Sequence, residues 1–323
     1  MITLSKLAKL ANVSVSTASK AFSGSKEVNE ETRAWIFSVA KEHGVFKKFY
    51  NVKYPRLVIA VVVPEFQSRN YGPLLSELQR SLDEKGCSMT VMASRFLPNE
   101  SNKIYDYYSK YTDIDGIIII GKHELCDDEL EIPYVVIGTD KACDKNSSSV
   151  NINIENALKD AVKYAKAAGV QSLGFISETK TKEKLQSFID AMNEIYGGFD
   201  EKYVVITESR FEESGYDGMK QLIESGNVPR IVICGYDNIA IGAMRCLNDF
   251  GLRIPGDVAL IGYDDNAESK YMVPSLSSID VKHRECALAA VDMVIHKIFS
   301  KPPRKNIVIV AELKLRESSV LTG

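Results

Sequence analysis

No stretch of the sequence approaches the roughly 20 apolar residues that a membrane-crossing helix requires. The longest apolar runs, 57–63 and 116–121, have the length of buried strands, and no membrane contact is expected. The opening Met1-Ile2-Thr3-Leu4-Ser5-Lys6 lacks the basic-then-apolar order of a secretory leader, so a cytoplasmic protein is expected. Six cysteines are scattered at positions 87, 126, 143, 234, 246 and 286 with no C-x-x-C pair. That speaks against a zinc ribbon or a redox motif and fits reduced thiols. The four histidines show no metal-ligand spacing, and neither metal nor cofactor is expected. Phosphate-loop, dinucleotide and nucleophile-elbow motifs are absent. Ser23-Gly24-Ser25-Lys26 matches S-x-x-K without the motifs that accompany it in lactamases. An enzyme is therefore not expected.

What is present is a chain of 323 residues, 45% hydrophobic and 26% charged, long enough for two or three folding units. Its net charge of −3 is unevenly placed. Residues 1–56 carry ten basic and four acidic side chains, a balance of +6, which leaves −9 for the remainder. A basic head on an acidic body suggests that the head meets a polyanion.

The head reads as three short helices. Thr3 caps 4–11, which has Leu4, Leu7, Ala8 and Ala11 along one face. Asn12 tolerates the left-handed turn between helices, and Ser14 caps the second helix, 15–22. Asn29 caps a third, 30–43, with acidic residues in its first turn and Gly44 behind it. The basic, aromatic stretch 46–56 reads as a linker ending at Pro55.

From residue 57 apolar strands alternate with amphipathic helices. Strands are expected at 57–63, 88–93, 116–120, 134–137, 173–176, 203–206, 231–234, 258–263 and 307–315. Helices are expected at 72–85, 155–168, 182–196, 213–224, 238–250 and 283–299. Apolar strands with crossover helices imply parallel sheets covered on both faces. The strands are too many for one sheet of ordinary size, so two doubly wound lobes are expected, with ligands beyond the carboxyl ends of the strands. Polar residues sit there: Phe66, Asn70 and Tyr71 after the first strand, Tyr236 and Asp237 after 231–234, and Asp264 after 258–263. Aromatic plates beside carboxylates and amides suit a small polyol. The alternatives are helix-capping or loop roles for Asp237 and Asp264, and plain packing for Phe66 and Tyr71.

Two helices around a tight turn, small or apolar inside and polar outside, are also the geometry by which one helix enters the major groove. Leu7, Ala8, Val13, Ala18 and Phe22 suit the inside. The run from Thr3 to Gly24, with Val13-Ser14-Val15-Ser16-Thr17-Ala18-Ser19-Lys20 at its centre, resembles the N-terminus of the lactose/galactose repressor (LacI/GalR) family of bacterial transcription regulators. Val28-Asn29-Glu30-Glu31-Thr32-Arg33 continues the likeness. The resemblance implies that Val15, Ser16 and Lys20 read bases and that Ser14, Thr17, Ser19, Thr32 and Arg33 contact phosphates. For Lys20 a plain phosphate contact is the alternative. The family's Tyr-x-Pro-Asn-x-x-Ala-x-x-Leu hinge has no counterpart in 45–50. Lys47, Lys48, Lys53 and Arg56 are expected to attract phosphates there, with Phe46 and Phe49 packing on the head or on a partner chain.

The body resembles the same family. Ile132-Pro133-Tyr134-Val135-Val136-Ile137, the run from Gly251 to Asp265, Pro274-Ser275-Leu276-Ser277-Ser278-Ile279 and Arg316-Glu317-Ser318-Ser319 carry the likeness. The resemblance implies a small all-α helix-turn-helix head, residues 1–56 with the linker, joined to an α/β periplasmic-binding-protein-like body of two doubly wound parallel-sheet lobes, residues 57–323. Lobe 1 is expected at about 57–151 plus 281–310, and lobe 2 at about 152–280 plus 311–323. Lys184 stands where the family often has a ligand-gripping Arg, and Phe211 lies near an aromatic ligand position. The implied protein is a repressor that binds a double-stranded DNA operator as a homodimer, switched by a small sugar-like effector. Helices 72–85 and 238–250 would form the dimer surface, although Met244 and Leu247 also suit plain core. The competing readings are an α/β enzyme acting on a sugar or nucleoside, and a stand-alone binding protein with the same body.

Overall fold

The computed structural model describes residues 2–25, 27–53, 57–69, 71–112, 114–121, 132–139, 148–300 and 305–320. The head opens with α1 (Leu4–Leu10), α2 (Val15–Phe22) and α3 (Glu30–Glu42). Each is started by the cap its sequence offers. The side chains of Thr3, Ser14 and Asn29 accept from the backbone N–H groups of Lys6, Thr17 and Thr32. Asn12 makes the turn between α1 and α2 at φ 53°, in the left-handed region that its short amide tolerates. Leu7, Ala8, Ala18, Ala21 and Phe22 are buried between the helices, so small side chains set the close approach.

The expected linker is instead a fourth helix, α4 (Phe46–Lys53). Aromatic packing holds it to the head. The ring of Phe46 lies 6.2 Å from that of Phe22 and 5.1 Å from that of Phe37, and Phe49 lies 5.7 Å from Phe22. A basic composition alone reads as solvated chain, whereas Phe46, Phe49 and Tyr50 fall on one helical face and bury it.

Among the described residues the body holds two six-stranded sheets. The first contains β1 (Val58–Val63), β2 (Ser88–Ala93), β3 (Gly116–Ile120), β4 (Tyr134–Thr139), β5 (Ser149–Asn153) and β11 (Asn306–Val310). Their order is β11-β5-β4-β3-β1-β2, all parallel. Helices α5 (Tyr71–Glu84) and α11 (His283–Ser300) cover one face, and α6 (Pro98–Tyr111) covers the other. The second sheet contains β6 (Leu173–Glu178), β7 (Val204–Thr207), β8 (Ile231–Cys234), β9 (Ala259–Asp264), β10 (Ser277–Asp280) and β12 (Glu312–Lys314), in the order β12-β10-β9-β8-β6-β7. Only β12 runs antiparallel to its neighbour. Helices α7 (Glu155–Ala167) and α8 (Lys182–Tyr196) pack on one face, and α9 (Phe211–Glu224) and α10 (Asp237–Asp249) on the other. Each buried Val, Leu or Ile of these strands contributes about 1.5–3 kcal/mol of transfer free energy.

The chain passes between sheets three times: after β5, after β10, and between β11 and β12. At the third crossing the expected single strand 307–315 is split at Ala311, whose N–H donates to the carbonyl of Asn153 at 3.0 Å. Strands β5 and β10 carry a weak apolar signal, Ser-Val-Asn-Ile-Asn and Ser-Ser-Ile-Asp. Serine hydroxyls are buried there because they bond one another. Ser277 accepts from Ser319 at 2.7 Å, and the N–H of Ser277 donates to Ser318 Oγ at 2.9 Å. Among the described residues no helix is long and apolar enough to cross a membrane. Met244 and Leu247 face the core of the second lobe.

Candidate functional site

Two sites follow from this frame. The first is the outer face of α2. Ser14, Val15 and Ser16 are exposed, and Val15 keeps 47% of its surface although it is apolar. Thr17, Ser19 and Lys20 are half-buried on the next turn. The hydroxyls of Ser14 and Thr17 lie 2.7 Å apart, so the cap is also a polar edge. Lys20 pairs with Glu27. Thr32 lies half-buried in the first turn of α3. Arg33 has a structural use: its guanidinium donates to the carbonyls of Ser25 and Val28 at 2.8 and 3.1 Å and to Glu30 at 2.7 Å, stapling the connector to α3. Lys47 donates to the carbonyl of Ile114 in the body at 3.2 Å, and Lys48 to the carbonyl of Ile2 at 3.1 Å. Both ammonium groups therefore tie elements together in this structure. Lys53 is the last residue of α4, and Arg56 lies outside the described residues. Trp35, 55% exposed, ties α3 to the end of α1 through Nε1–H to Ala11 O at 3.0 Å.

The second site lies at the carboxyl ends of β1, β6, β8 and β9, where the two sheets face each other. Its deepest member is Asp264, the last residue of β9, which is 1% exposed and sits at φ 111°. Neither carboxylate oxygen has a hydrogen-bond partner among the described residues. Burial pushes its pKa up to about 8, against the pull of Lys184. The Lys184 ammonium lies 3.8 Å from Asp264 Oδ1 and donates to the carbonyl of Gly235 at 2.7 Å. It also stands 4.3 Å from the ring centre of Tyr236 and 3.6 Å from that of Tyr263. Burial holds its pKa below the usual lysine range. Tyr71, at the start of α5 in the first lobe, is raised by burial first, then by the charges of Glu65 and Asp264. The hydroxyl proton of Tyr236 is likewise held by burial, with Tyr71 and Asp264 adding to the effect. Tyr71, Lys184, Tyr236 and Asp264 thus form one polar nest with aromatic walls.

The other expected contacts divide. Phe66 is 62% exposed at the mouth. Phe211 sits at φ 54° with the guanidinium of Arg210 4.3 Å from its ring centre. Asn70 lies outside the described residues. Asp237 is a strut: Oδ2 accepts from Asn266 N–H and Ser269 Oγ–H, each at 2.7 Å, and Oδ1 accepts from Ser278 Oγ–H at 2.6 Å. With both oxygens engaged inside its own lobe, its expected role as an effector contact gives way to the loop-carboxylate alternative.

Sequence reasoning passed over Glu65, Glu178, Arg210 and Tyr263. Arg210 forks onto Glu65 at 2.7 and 2.8 Å and reaches Glu178 at 3.2 Å. Glu178, 1% exposed, also accepts from the N–H of Phe211 at 3.4 Å. A lone acid ending an apolar strand was the available signal for Glu178. Nothing local marked Arg210.

Comparison with known proteins bears on both sites. Residues 3–45 match the family model described as bacterial regulatory proteins, lacI family, and residues 162–319 match the periplasmic binding protein-like domain. The HTH-type transcriptional repressor PurR of Klebsiella pneumoniae (strain 342) is 25% identical over 341 residues, covering 100% of this chain and 98% of that protein. The fold matches the lac repressor dimer bound to operator and the anti-inducer ONPF, with a TM-score of 0.75 at 19% identity over 99% of each chain. It also matches the transcriptional regulator CelR–cellobiose complex, with a TM-score of 0.69 at 23% identity, covering 99% of this chain and 100% of that one. With the capped helix-turn-helix at one end and the two-sheet body behind it, the chain belongs to the lactose/galactose repressor (LacI/GalR) family of bacterial DNA-binding transcription regulators.

Proposed function

We propose that this protein is a cytoplasmic, homodimeric repressor whose grip on operator DNA is switched by a small, uncharged, hydroxyl-rich effector held between the lobes. A sugar or sugar derivative fits best. The observation that carries the effector reading is Asp264, a buried carboxyl group neither of whose oxygens has a hydrogen-bond partner among the described residues, with the Lys184 ammonium 3.8 Å from one of them. A buried carboxyl group in that state needs partners that both give and take hydrogen bonds, and the hydroxyls of a polyol do both. The neighbouring cations are engaged, Arg210 by two glutamates and Lys184 by the Gly235 carbonyl and two tyrosine rings. A phosphate or carboxylate would find Lys184 and Arg210, the cations described at this site, already engaged, so anionic ligands are disfavoured. The tyrosines supply apolar plates for a sugar ring. No catalytic step is part of this reading.

For DNA, the exposed Val15 beside Ser14 and Ser16 supports base readout. An apolar side chain at the start of a helix, without core contacts to justify it, suits a thymine methyl in the major groove. Thr17, Ser19 and Thr32 would serve phosphates, and Lys20 would leave Glu27 to do so or to reach a base edge. Release of Lys47 and Lys48 from their carbonyls would add non-specific attraction. Replacing both by Ala would then flatten the salt dependence of binding. Two copies would double the half-sites read, through the faces of α5 and α10.

The test has two arms. Selection of genomic fragments by the full-length protein should yield a two-fold symmetric site preferred over random duplex. A thermal-shift panel of neutral sugars, their phosphates and nucleosides should show a neutral sugar raising the melting temperature by linkage. A hit confined to phosphates would overturn the effector class, and no preferred duplex would overturn the regulator itself.

A further inference from the structure

The two lobes touch across the cleft, and the contact is ionic. Glu65 follows β1 in the first lobe; Arg210 precedes α9 in the second. Arg210 presents its fork to Glu65, Nη1 to Oε2 at 2.8 Å and Nη2 to Oε1 at 2.7 Å. Its Nε and Nη2 also reach Glu178 of its own lobe at 3.2–3.3 Å. The side chains of Glu65 and Arg210 keep 15% and 26% of their surface, so the pair is shielded but not sealed from water.

We propose that Glu65 and Arg210 form an ionic strap that sets the open–closed balance of the lobes. The asymmetry of the trio makes the strap reversible. On opening, Glu178 stays with Arg210, so no cation is stranded in the protein. Glu65 alone departs, and it departs into water. A bidentate, partly shielded pair is strong enough to bias two arrangements and weak enough to part. Two further contacts lie on the same rim. Arg69 of the first lobe stands 3.6 Å from Glu212 at the start of α9, and the Lys180 ammonium of the second lobe stands 4.4 Å from the ring centre of Phe96. Phe96 and Phe211, one on each side, both hold left-handed backbone, at φ 61° and 54°. Bulky residues keep that conformation where surrounding contacts enforce it. The strap is made of the protein's own side chains, so its test does not depend on which effector binds.

The experiment measures the distance between lobes. Spin labels on genetically encoded keto residues at Lys110 of α6 and Glu224 of α9 leave the native cysteines alone, and labelled chain diluted in unlabelled chain isolates the distance within one protomer. Wild type at low salt should give one narrow distribution. Glu65→Gln should raise the population at a second, shifted distance roughly tenfold, the ratio expected for losing a charge-assisted hydrogen-bond pair. Wild type in 1 M KCl, where the screening length falls to about 3 Å, should move the same way, which keeps the test independent of how the variant folds. Asp160→Asn, at an exposed carboxylate that pairs with Lys163 of its own helix α7, should change nothing. A distribution unmoved by both Glu65→Gln and salt, or one already broad in wild type, overturns the proposal.

Discussion

Ser278 on β10 donates its hydroxyl proton to Oδ1 of Asp237, the first residue of α10, at 2.6 Å. The same carboxylate takes the N–H of Asn266 and the hydroxyl of Ser269. One side chain therefore fixes β10 and the loop after β9 relative to α10, and so fixes the floor on which Asp264 stands. Asp237→Ala would leave three buried donors without an acceptor. The expected loss is about 3–5 kcal/mol, read as a lower urea midpoint. Asp237→Asn, which keeps one acceptor, should lose less. A midpoint equal to wild type for the alanine variant would contradict the strut.

Asp264 gives a pH signature. Burial raises its pKa in the folded protein to about 8, above the ordinary 3.8 that the unfolded chain shows. Between those values the folded state holds the proton and the unfolded state does not. Its contribution to stability therefore falls as pH rises from about 4 to about 8, and levels off above. Asp264→Asn removes this slope. At pH 8 the empty variant should melt higher than wild type by a few degrees, about 2–4 °C for each kcal/mol relieved. The same variant should lose the thermal shift that wild type shows with its effector. A melting-temperature difference between the two proteins that stays constant from pH 5 to pH 8 would count against this account.

Helices α9 and α10 meet through glycine. A Cβ on Gly215 would stand 1.8 Å from the carbonyl oxygen of Ile239, and one on Gly242 1.8 Å from that of Glu212. Alanine gains about 1 kcal/mol of helix propensity over glycine, but these contacts are backbone and cannot yield. Gly215→Ala and Gly242→Ala should each destabilise by about 1–3 kcal/mol, the range of overpacked cores. Calorimetric melting decides which effect wins.

In the head, Val15→Ala and Ser16→Ala should each weaken binding to the selected operator roughly tenfold while leaving binding to random duplex near its wild-type level. Competition titration at fixed salt separates the two. Ser14→Ala should instead lower head stability by about 1 kcal/mol through the lost cap. Equal losses on both duplexes for Val15→Ala would move that side chain from base reading to general docking.

Much of this was legible along the chain. Caps, turn residues and helical periodicity act over three or four positions, so Thr3, Asn12, Ser14 and Asn29 announced the head, and α2 begins and ends where its sequence says. Apolar strands such as Val58–Val63 and Ile231–Cys234 announced the sheets because continuous burial leaves continuous apolar runs. Where burial is polar the signal failed. Strand β10 is hidden although half serine, because Ser277 bonds Ser318 and Ser319 of the turn after β12 and Ser278 bonds Asp237. The linker became α4 because its aromatic residues found Phe22 and Phe37, which no local rule foretells.

The candidate site shows the same division. Tyr71, Lys184, Tyr236 and Asp264 could be proposed from their places after strands or from resemblance. That Asp237 turns inward, that Asp264 is left without a hydrogen-bond partner among the described residues, and that Arg210 reaches Glu65 across 145 positions of chain could not. By itself the sequence determined the kind of most elements, the limits of those to within a few residues, the charge of the head and the family. Tertiary structure alone decided which carboxylate is satisfied and which is left for a ligand. Hydrogen bonds between distant residues depend on distances of a few tenths of an ångström, and only the folded chain sets those.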